Sequence, residues 1–542
     1  MYFMWFYCRK QLDAFFTKPT SPVNLAIIRI VLFGFLLTLG SLYSDAISIS
    51  ASSPSALVPP PGWNLLLEYL PVNERLTQLD VTIFLISCVF ALLGLGTQYA
   101  IVIATVTGLF ALGIPQFYGK IDHYHHLWLI MFILCFTRSG DALSFDAAIK
   151  SYRFPHIPPP QASRIYTYPI RVIWILLALT YFFPGFWKFT ISGLEWALSD
   201  NLKYKMHTKW IESDGWTPLF RLDHYPLLYM SAALGTLVWE LGFIFTIFFD
   251  RIRNIAAMIG IVFHTMTFLL MNIFFKTLMA MYVVFIDWDK WFKRIGGYLF
   301  QKPLIIHYDK KSSYSKATAH LIMSFDLFGK TSIIQQNSYS NSTPSKLFPA
   351  TIQERPVGFL HIMLRVPFLL IVFPILFIGR LITPSKAMFK EVNVKPQKIA
   401  FAGSIVISFQ LFAGFALIDS WPFAVYPTFA TIEKSIAPTI KIEAYNADDN
   451  LISEVIPLTD ERFRDYYGNT PRLRGFIREI QTSSSIDPEH FIHLVSIWQG
   501  DEDLEEINYY KFINIELNTD PDNNYQSYQS KEIRYLLEPS NL

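Results

Sequence analysis

Asp122-His123-Tyr124-His125-His126 opens one apolar segment of this chain, and Tyr181-Phe182-Phe183-Pro184-Gly185-Phe186-Trp187-Lys188 closes the next. Ionisable groups beside membrane-length apolar runs are expensive to place, so each is a candidate site residue. The composition carries the same message outward. Of 542 residues, 52% are hydrophobic and 16% charged, against about a quarter charged in an ordinary soluble chain. The formal net charge of +2 gives no reason to expect a nucleic-acid partner. Cys8, Cys88 and Cys135 are far apart, and the last two lie in apolar runs. That argues against a disulfide framework and against a cysteine-based metal site.

About 20 apolar residues cross the hydrocarbon core. On that measure the candidate spans are 24–45, 78–96, 98–117, 124–141, 167–189, 227–249, 254–275, 276–292, 357–379 and 398–420. Lys276 divides the long apolar stretch 254–292. Segment 357–379 is flanked by Arg355 and Arg380 and contains Arg365, Pro367 and Pro374, which fits a re-entrant segment. The expectation is a polytopic α-helical membrane protein of about nine spans with a C-terminal α/β or β-rich soluble domain.

Lys and Arg in short loops mark the cytoplasmic side. Arg9, Lys10 and Lys18 place the N-terminus inside, and Arg138, Lys150, Arg153 and Arg164 do the same for the 138–166 loop. An even number of spans separates the two, so the assignments agree. His123 and Lys188 then share the outer boundary. With about nine crossings the C-terminal domain is external as well.

Five regions follow. Residues 1–20 read as an interfacial N-terminal helix without a cleavable leader, and 20–292 as the main membrane domain. The 293–356 segment is basic and so cytoplasmic, with a strand-like 304–308, a helical 316–328 and a polar linker from Gln335 to Ser345. Further membrane segments fill 357–420. The 421–542 region carries 10 Lys/Arg against 21 Asp/Glu, with strand-like runs at 440–445 and 509–517 and a helix over 460–482.

Several ordered elements resemble the vitamin K-dependent gamma-carboxylase-like family, whose membrane part is also called the horizontally transferred transmembrane domain. Pro22 to Arg29 looks like the opening of its first span. Asp122-His123, followed by Ser144-Phe145-Asp146, is similar to its Asn-His start and Ser-Leu-Asp stop. Tyr181 to Lys188 resembles its Tyr-Phe-x-x-Gly-x-x-Lys segment, with Glu195-Trp196, Glu240 and His264 following in order. The resemblance covers about residues 20–290. A second one lies at Ile305–Asp309 and Asp326–Gly329, similar to DCC-type thiol–disulfide oxidoreductase domains. Ser312 and Ser315 stand where the redox cysteines would be, and serine cannot cycle through a disulfide. Trp421 to Phe429 looks like the segment that leads into an external β-rich domain in related proteins.

The resemblance implies a reduced quinone of the vitamin K type as cofactor, and the bilayer, a quinone and a protein or peptide substrate as partners. In the carboxylases the matched lysine acts as an amine base, the matched histidine assists, and the hydroquinone with oxygen yields the strong base that removes a glutamate γ-proton before carbon dioxide adds. Lys188, His123 and His264 are then the catalytic candidates. Desolvation at an aromatic helix end would free the Lys188 amine. Phe182, Phe183, Phe186 and Trp187 could wall a flat, dry pocket for the quinone ring. The competing reading of Lys188 is a helix-end anchor. The His-x-His-His spacing lacks the i, i+4 register of a helical metal motif, so no metal is expected. His264 either pairs with a polar neighbour such as Glu240 or lines the cavity. Asp122, Asp146, Glu240 and Arg29 are supporting candidates, Arg29 as a buried partner of Glu240 or Asp146.

The chain also departs from the carboxylases. Trp187 stands where they carry an additional lysine, Ser199 stands near an expected glycine, and no propeptide-recognition element is readable. Two readings therefore stay open. One is an enzyme at the outer face, a carboxylase-like carbon–carbon lyase or a quinone-dependent oxygenase. The other is a non-catalytic membrane protein of the same fold, acting in export, immunity or partner binding.

Overall fold

A serine followed by a proline starts the first long helix, α1 (Pro22–Leu36): the Ser21 hydroxyl accepts from the Val23 amide, and Pro22 fills a position whose N–H has no helical partner. The computed structural model describes residues 13–52, 59–69, 72–117, 121, 123–213, 216–309, 312–336, 350–352, 355–356, 359–368, 396–425, 429–467, 470–482, 488–500, 507–523 and 528–538. Most of the expected 1–20 helix, Asp122, and the 369–395 part of the expected 357–379 segment lie outside the described residues.

Helix α1 bends by 50° into α2 (Gly40–Ser52), so the expected 24–45 span is a broken helix pair. Then come α3 (Glu74–Leu93), α4 (Thr97–Ala111), α5 (His125–Leu134), α6 (Phe145–Arg153), α7 (Arg164–Ser192), α8 (Asn201–Ile211), α9 (Pro226–Thr246), α10 (Asp250–Met271) and α11 (Lys276–Met281). Among the described residues, six helices are long and apolar enough to cross a membrane, or seven with the bent pair. Their outward faces carry exposed Leu79, Ile86, Val106, Val238, Phe245, Ile255 and Met258, as a lipid-facing surface would.

Two expected spans are shorter than predicted. Helix α5 has only ten residues, about 15 Å at 1.5 Å per residue, half the hydrocarbon thickness. Its side chains are buried by protein, which frees its length from the bilayer's. The 276–292 stretch breaks after α11 into a 3-10 turn, Tyr282–Phe285, before α12 (Trp288–Leu299). The division near Lys276 follows from Asn272, which ends α10 in the left-handed conformation that asparagine tolerates.

The turn between α3 and α4 shows what Arg29 does. Gly94 sits at φ +69°, and a Cβ there would lie 2.1 Å from the Arg29 guanidinium. Arg29 donates to the carbonyls of Ala91 (3.1 Å) and Leu143 (2.6 Å). Of the two expected partners, Asp146 lies close enough to act on Arg29 electrostatically, but the guanidinium spends these hydrogen bonds on backbone carbonyls, and Glu240 pairs with Lys188. Asp146 instead accepts from the Gly96 and Thr97 amides and the Thr97 hydroxyl, capping α4.

Two further units are built around β-sheets. Strand β1 (Leu304–Asp309) runs parallel to β2 (Thr331–Gln336) with α13 (Ser313–Ser324) between them, and β3 (Ala350–Ile352) and β4 (Arg355–Pro356) extend the sheet antiparallel. This unit shares a core with Ala26, Ile27, Ala142 and Tyr152. Helix α14 (Phe359–Arg365) buries Ile362 and Met363 in the same core, so this described part of the expected 357–379 segment packs on protein. Ser312 caps α13 by accepting from the Ser315 amide, and the Ser315 hydroxyl accepts from the Asp309 amide.

Helix α15 (Pro396–Phe415) leads to the C-terminal domain. Its antiparallel sheet has the order β6 (Leu451–Val455), β5 (Ile436–Tyr445), β7 (Tyr509–Asn518), β8 (Tyr528–Leu537). Helices α16 (Glu461–Tyr467), α17 (Thr470–Thr482) and α18 (Pro488–Gln499) are inserted between β6 and β7. Leu473, Phe476, Phe491 and Trp498 pack on Ile440, Ile442 and Phe512 of the sheet. The expected single helix over 460–482 is therefore two.

Candidate functional site

Helix α7 reaches the site along 29 residues, capped by Ser163 at one end and stopped by Gly193 at φ +60° at the other. Pro184 lies within it and has no N–H to offer the Thr180 carbonyl. At the next residue α7 meets α9. A Cβ on Gly185 would lie 2.8 Å from the Glu240 Cβ, so only glycine lets the helices approach this closely.

That approach sets up a buried ion pair. Lys188 Nζ donates to both Glu240 oxygens, at 2.6 and 2.7 Å, and the two side chains are 6% and 7% exposed. Lys188 Nζ also lies 4.8 Å from the centre of the Trp196 ring. The expectation of a free, uncompensated amine is corrected here: Glu240 is the partner of Lys188, not of Arg29 or His264. A charge held this way is costly to orphan.

Around the pair is a cavity of about 390 Å³, lined by residues of α7, α8, α9, α10 and α11. Its walls are mostly apolar: Trp239, Val262, Phe263, Met266, Leu270 and Ile273. Its polar groups are few: Lys188, Glu240, His264, His123, Lys205 and the Tyr181 hydroxyl among them. This is the usual make-up of a small-molecule site, an apolar body with a few placed polar atoms.

His264 is buried on α10 and its Nε2 is 2.8 Å from the Tyr181 hydroxyl, to which Tyr282 donates at 3.0 Å. The other ring nitrogen, Nδ1, is buried with no hydrogen-bond partner. His123 lines the same cavity, with its ring edge-on to Phe275 at 4.9 Å and its carbonyl accepting from Thr277. The structure thus brings Lys188, His123, His264 and Glu240 together.

The four aromatic candidates go elsewhere. Phe183 packs with Ala413 and Val425, Phe186 meets Phe415, Phe182 stacks on Phe186, and Trp187 donates to the Gly414 carbonyl at 2.9 Å. Phe182, Phe183, Phe186 and Trp187 form the seam between α7 and α15 and do not line the cavity. Tyr181, Pro184 and Lys188, at i, i+3 and i+7, take the cavity face instead. Arg29 and Asp146 are outside the lining as well.

Lys205 was missed by sequence reasoning. It comes from α8, an amphipathic helix in the stretch after Trp196, and its side chain is 2% exposed. Its ammonium donates to the Thr431 carbonyl at 2.8 Å and lies 3.6 Å from Glu433. Burial pushes the amine down to about 8; Glu433 opposes the shift, and Lys188 and Arg474 add to it. The usable signal was a lysine alternating with Tyr204, Met206 and Trp210 directly after the matched Glu195-Trp196.

The start of the C-terminal domain closes this end of the cavity. Trp196 donates to the Phe429 carbonyl, Ser192 to the Ala430 carbonyl, and the Glu433 amide to Asn201. Arg474 bridges Glu212 and Glu433 at 2.7 and 3.2 Å. Beside it, His207 and Arg221 hold Asp223, and Arg221 reaches Asp522 at 3.0 Å. Burial disfavours the Asp223 carboxylate, yet the hydrogen bonds from His207 and Arg221 hold it well below the usual range. Among the described residues, no group of three or more His, Cys, Asp or Glu is placed to hold a metal ion. No protein-family model, curated protein or solved structure matches the chain.

Proposed function

We propose that the cavity binds a reduced quinone and that the protein carries out quinone-linked carboxylation or oxygenation at the outer membrane face. The observation that carries this reading is the convergence of Lys188, Glu240, His123 and His264 on one mostly apolar cavity. The fit to a quinone rests on two features: apolar walls from α9 and α10, and the few polar side chains, His264 among them, that line the cavity. A bound hydroquinone would supply, with oxygen, the strong base of the reaction. The chain's own contribution is narrower. His264, held by Tyr181, orients the ring oxygen. The Lys188–Glu240 pair keeps an exchangeable proton in a dry pocket. Trp239 and Phe263 exclude water.

The outer placement draws support from the contacts at the two ends. The 304–327 part of the basic 293–356 segment packs with the start of α1, whereas Phe429 to Glu433 bonds with the Lys188 end. Contacts of this kind are what an external acidic domain, opposite the basic cytoplasmic segment, would make.

A test uses purified protein in lipid with reduced quinone, oxygen and bicarbonate, followed by quinone oxidation. Protein-dependent oxidation that Lys188→Ala abolishes is expected. The absence of oxidation with every quinone tried would overturn the reading. One observation favours the second reading, a non-catalytic membrane protein serving export, immunity or partner binding. Both Glu240 oxygens are spent on Lys188, as they would be in a purely structural clamp.

A further inference from the structure

Two amines face the cavity, and their surroundings are unequal. Lys188 has a carboxylate to itself and bonds both of its oxygens. Lys205 does not. Its nearest carboxylate, Glu433, lies at 3.6 Å and is shared with the Arg474 guanidinium at 3.2 Å and the Thr208 hydroxyl at 3.3 Å. Lys209 is bonded to Glu212, which Arg474 also claims. Lys205 and Arg474 thus share one carboxylate, Glu433, whereas Lys188 bonds both oxygens of Glu240. The cation with the weakest claim is also the one with a side chain 2% exposed. A buried ammonium without its own counter-ion gives up its proton most readily.

The geometry points to a division of labour: Lys205 is the amine that accepts the ligand's proton, and Lys188, clamped by Glu240, is a positioning residue. The inference rests on the proposed hydroxyl-bearing ligand in this cavity. In the step, the O–H bond of the ligand breaks and an N–H bond forms on Lys205 Nζ. The electron pair stays on the ligand oxygen, and nothing is oxidised or reduced. The resulting ammonium faces the Thr431 carbonyl and Glu433, which can pass the proton outward. Burial already pushes this amine down to about 8, close to working pH, where a general base is most effective. The charged groups that act on it are Glu433 on the entering segment, Lys188 on α7 and Arg474 on α17; Glu240, His264 and His123 line the same cavity, Lys209 lies on its own helix and Glu212 just past that helix's end.

The experiment has two readouts. Biosynthetic incorporation of ε-¹³C-lysine into the protein in lipid nanodiscs labels buried and exposed lysines alike, and Lys205→Arg identifies the signal of interest. That signal is expected to titrate near pH 8. Titration only near the ordinary value of about 10.4 would overturn the inference. The second readout is the pH profile of quinone oxidation. Glu433 raises the Lys205 value, so Glu433→Gln should move the alkaline-rising limb to lower pH without abolishing the rate. A limb that stays in place in Glu433→Gln, or one that disappears in Lys188→Arg while persisting in Lys205→Gln, would return the role to Lys188. A wild-type protein that oxidises no quinone defeats the reading of the cavity, whereas the NMR titration still decides which amine is free.

Discussion

Removing Lys188 alone should cost far more than removing Lys188 and Glu240 together. The two side chains are 6% and 7% exposed, with N–O distances of 2.6 and 2.7 Å. Lys188→Met keeps most of the stem's packing and leaves Glu240 buried without a counter-charge. Breaking such a pair costs about 3–5 kcal/mol. The lost contact with the Trp196 ring, 4.8 Å away, adds about 0.5–2 kcal/mol. In Lys188→Met/Glu240→Leu both charges go, and replacing a whole buried pair by apolar side chains is often close to neutral. The double variant should therefore be more stable than either single one, with a coupling energy of at least about 2 kcal/mol. The assay is reversible unfolding in mixed micelles for the four proteins of the cycle. Losses that simply add, to within about 0.5 kcal/mol, would refute the claim that the pair is coupled in the folded protein. It follows that turnover of Lys188→Ala has to be read per folded molecule. The sequence alone offered a helix-end anchor as the competing reading of Lys188, with no buried partner to orphan.

Gly185→Ala should separate α7 from α9 and cost about 1–3 kcal/mol, read by the same unfolding assay, because the new methyl meets the Glu240 Cβ at 2.8 Å. Asp223 has a folded value below its unfolded one, so its stabilisation is present above about pH 4 and fades as the pH falls further. Thermal unfolding should show Asp223→Asn weakened at pH 7 and converging with wild type under acid. In a cysteine-free background, Leu219→Cys and Leu451→Cys should react with an impermeant maleimide from one side of the membrane and Tyr298→Cys from the other; labelling of all three from one side would sink the two-ended arrangement. Ser312→Ala with Ser315→Ala should leave any turnover intact, since no thiol is lost, while costing about 1 kcal/mol from the lost cap of α13; a loss of activity would reveal a role for the hydroxyls.

Long spans were legible because hydropathy, caps and proline or glycine stops coincide, as at Ser163 and Gly193 around α7. Helix α5 was not, because hydropathy measures apolar length and cannot tell a segment buried by protein from one bathed in lipid. The aromatic run 182–187 was assigned to the wrong face, although helical spacing does put Tyr181, Pro184 and Lys188 on one side. The partner of Lys188 was out of reach: Glu240 is 52 residues away in sequence, and only the close crossing at Gly185 brings it near. Lys205 was hidden for a related reason. Its burial depends on Phe429 to Glu433, more than 220 residues downstream in the chain.

The strap from Phe429 to Glu433 has a thermodynamic consequence. Phe429 lines the cavity, and the Thr431 carbonyl and Glu433 hold a cavity lysine, so the docking of the acidic domain and the filling of the cavity share the same atoms. Two events that share contacts are linked, and the linkage is reciprocal. Whatever occupies the cavity and touches Phe429 must alter the domain's hold on the helices, and whatever pulls on the domain's outer sheet must alter occupancy by the same factor. A domain joined in this way is a handle on the cavity it helps to close.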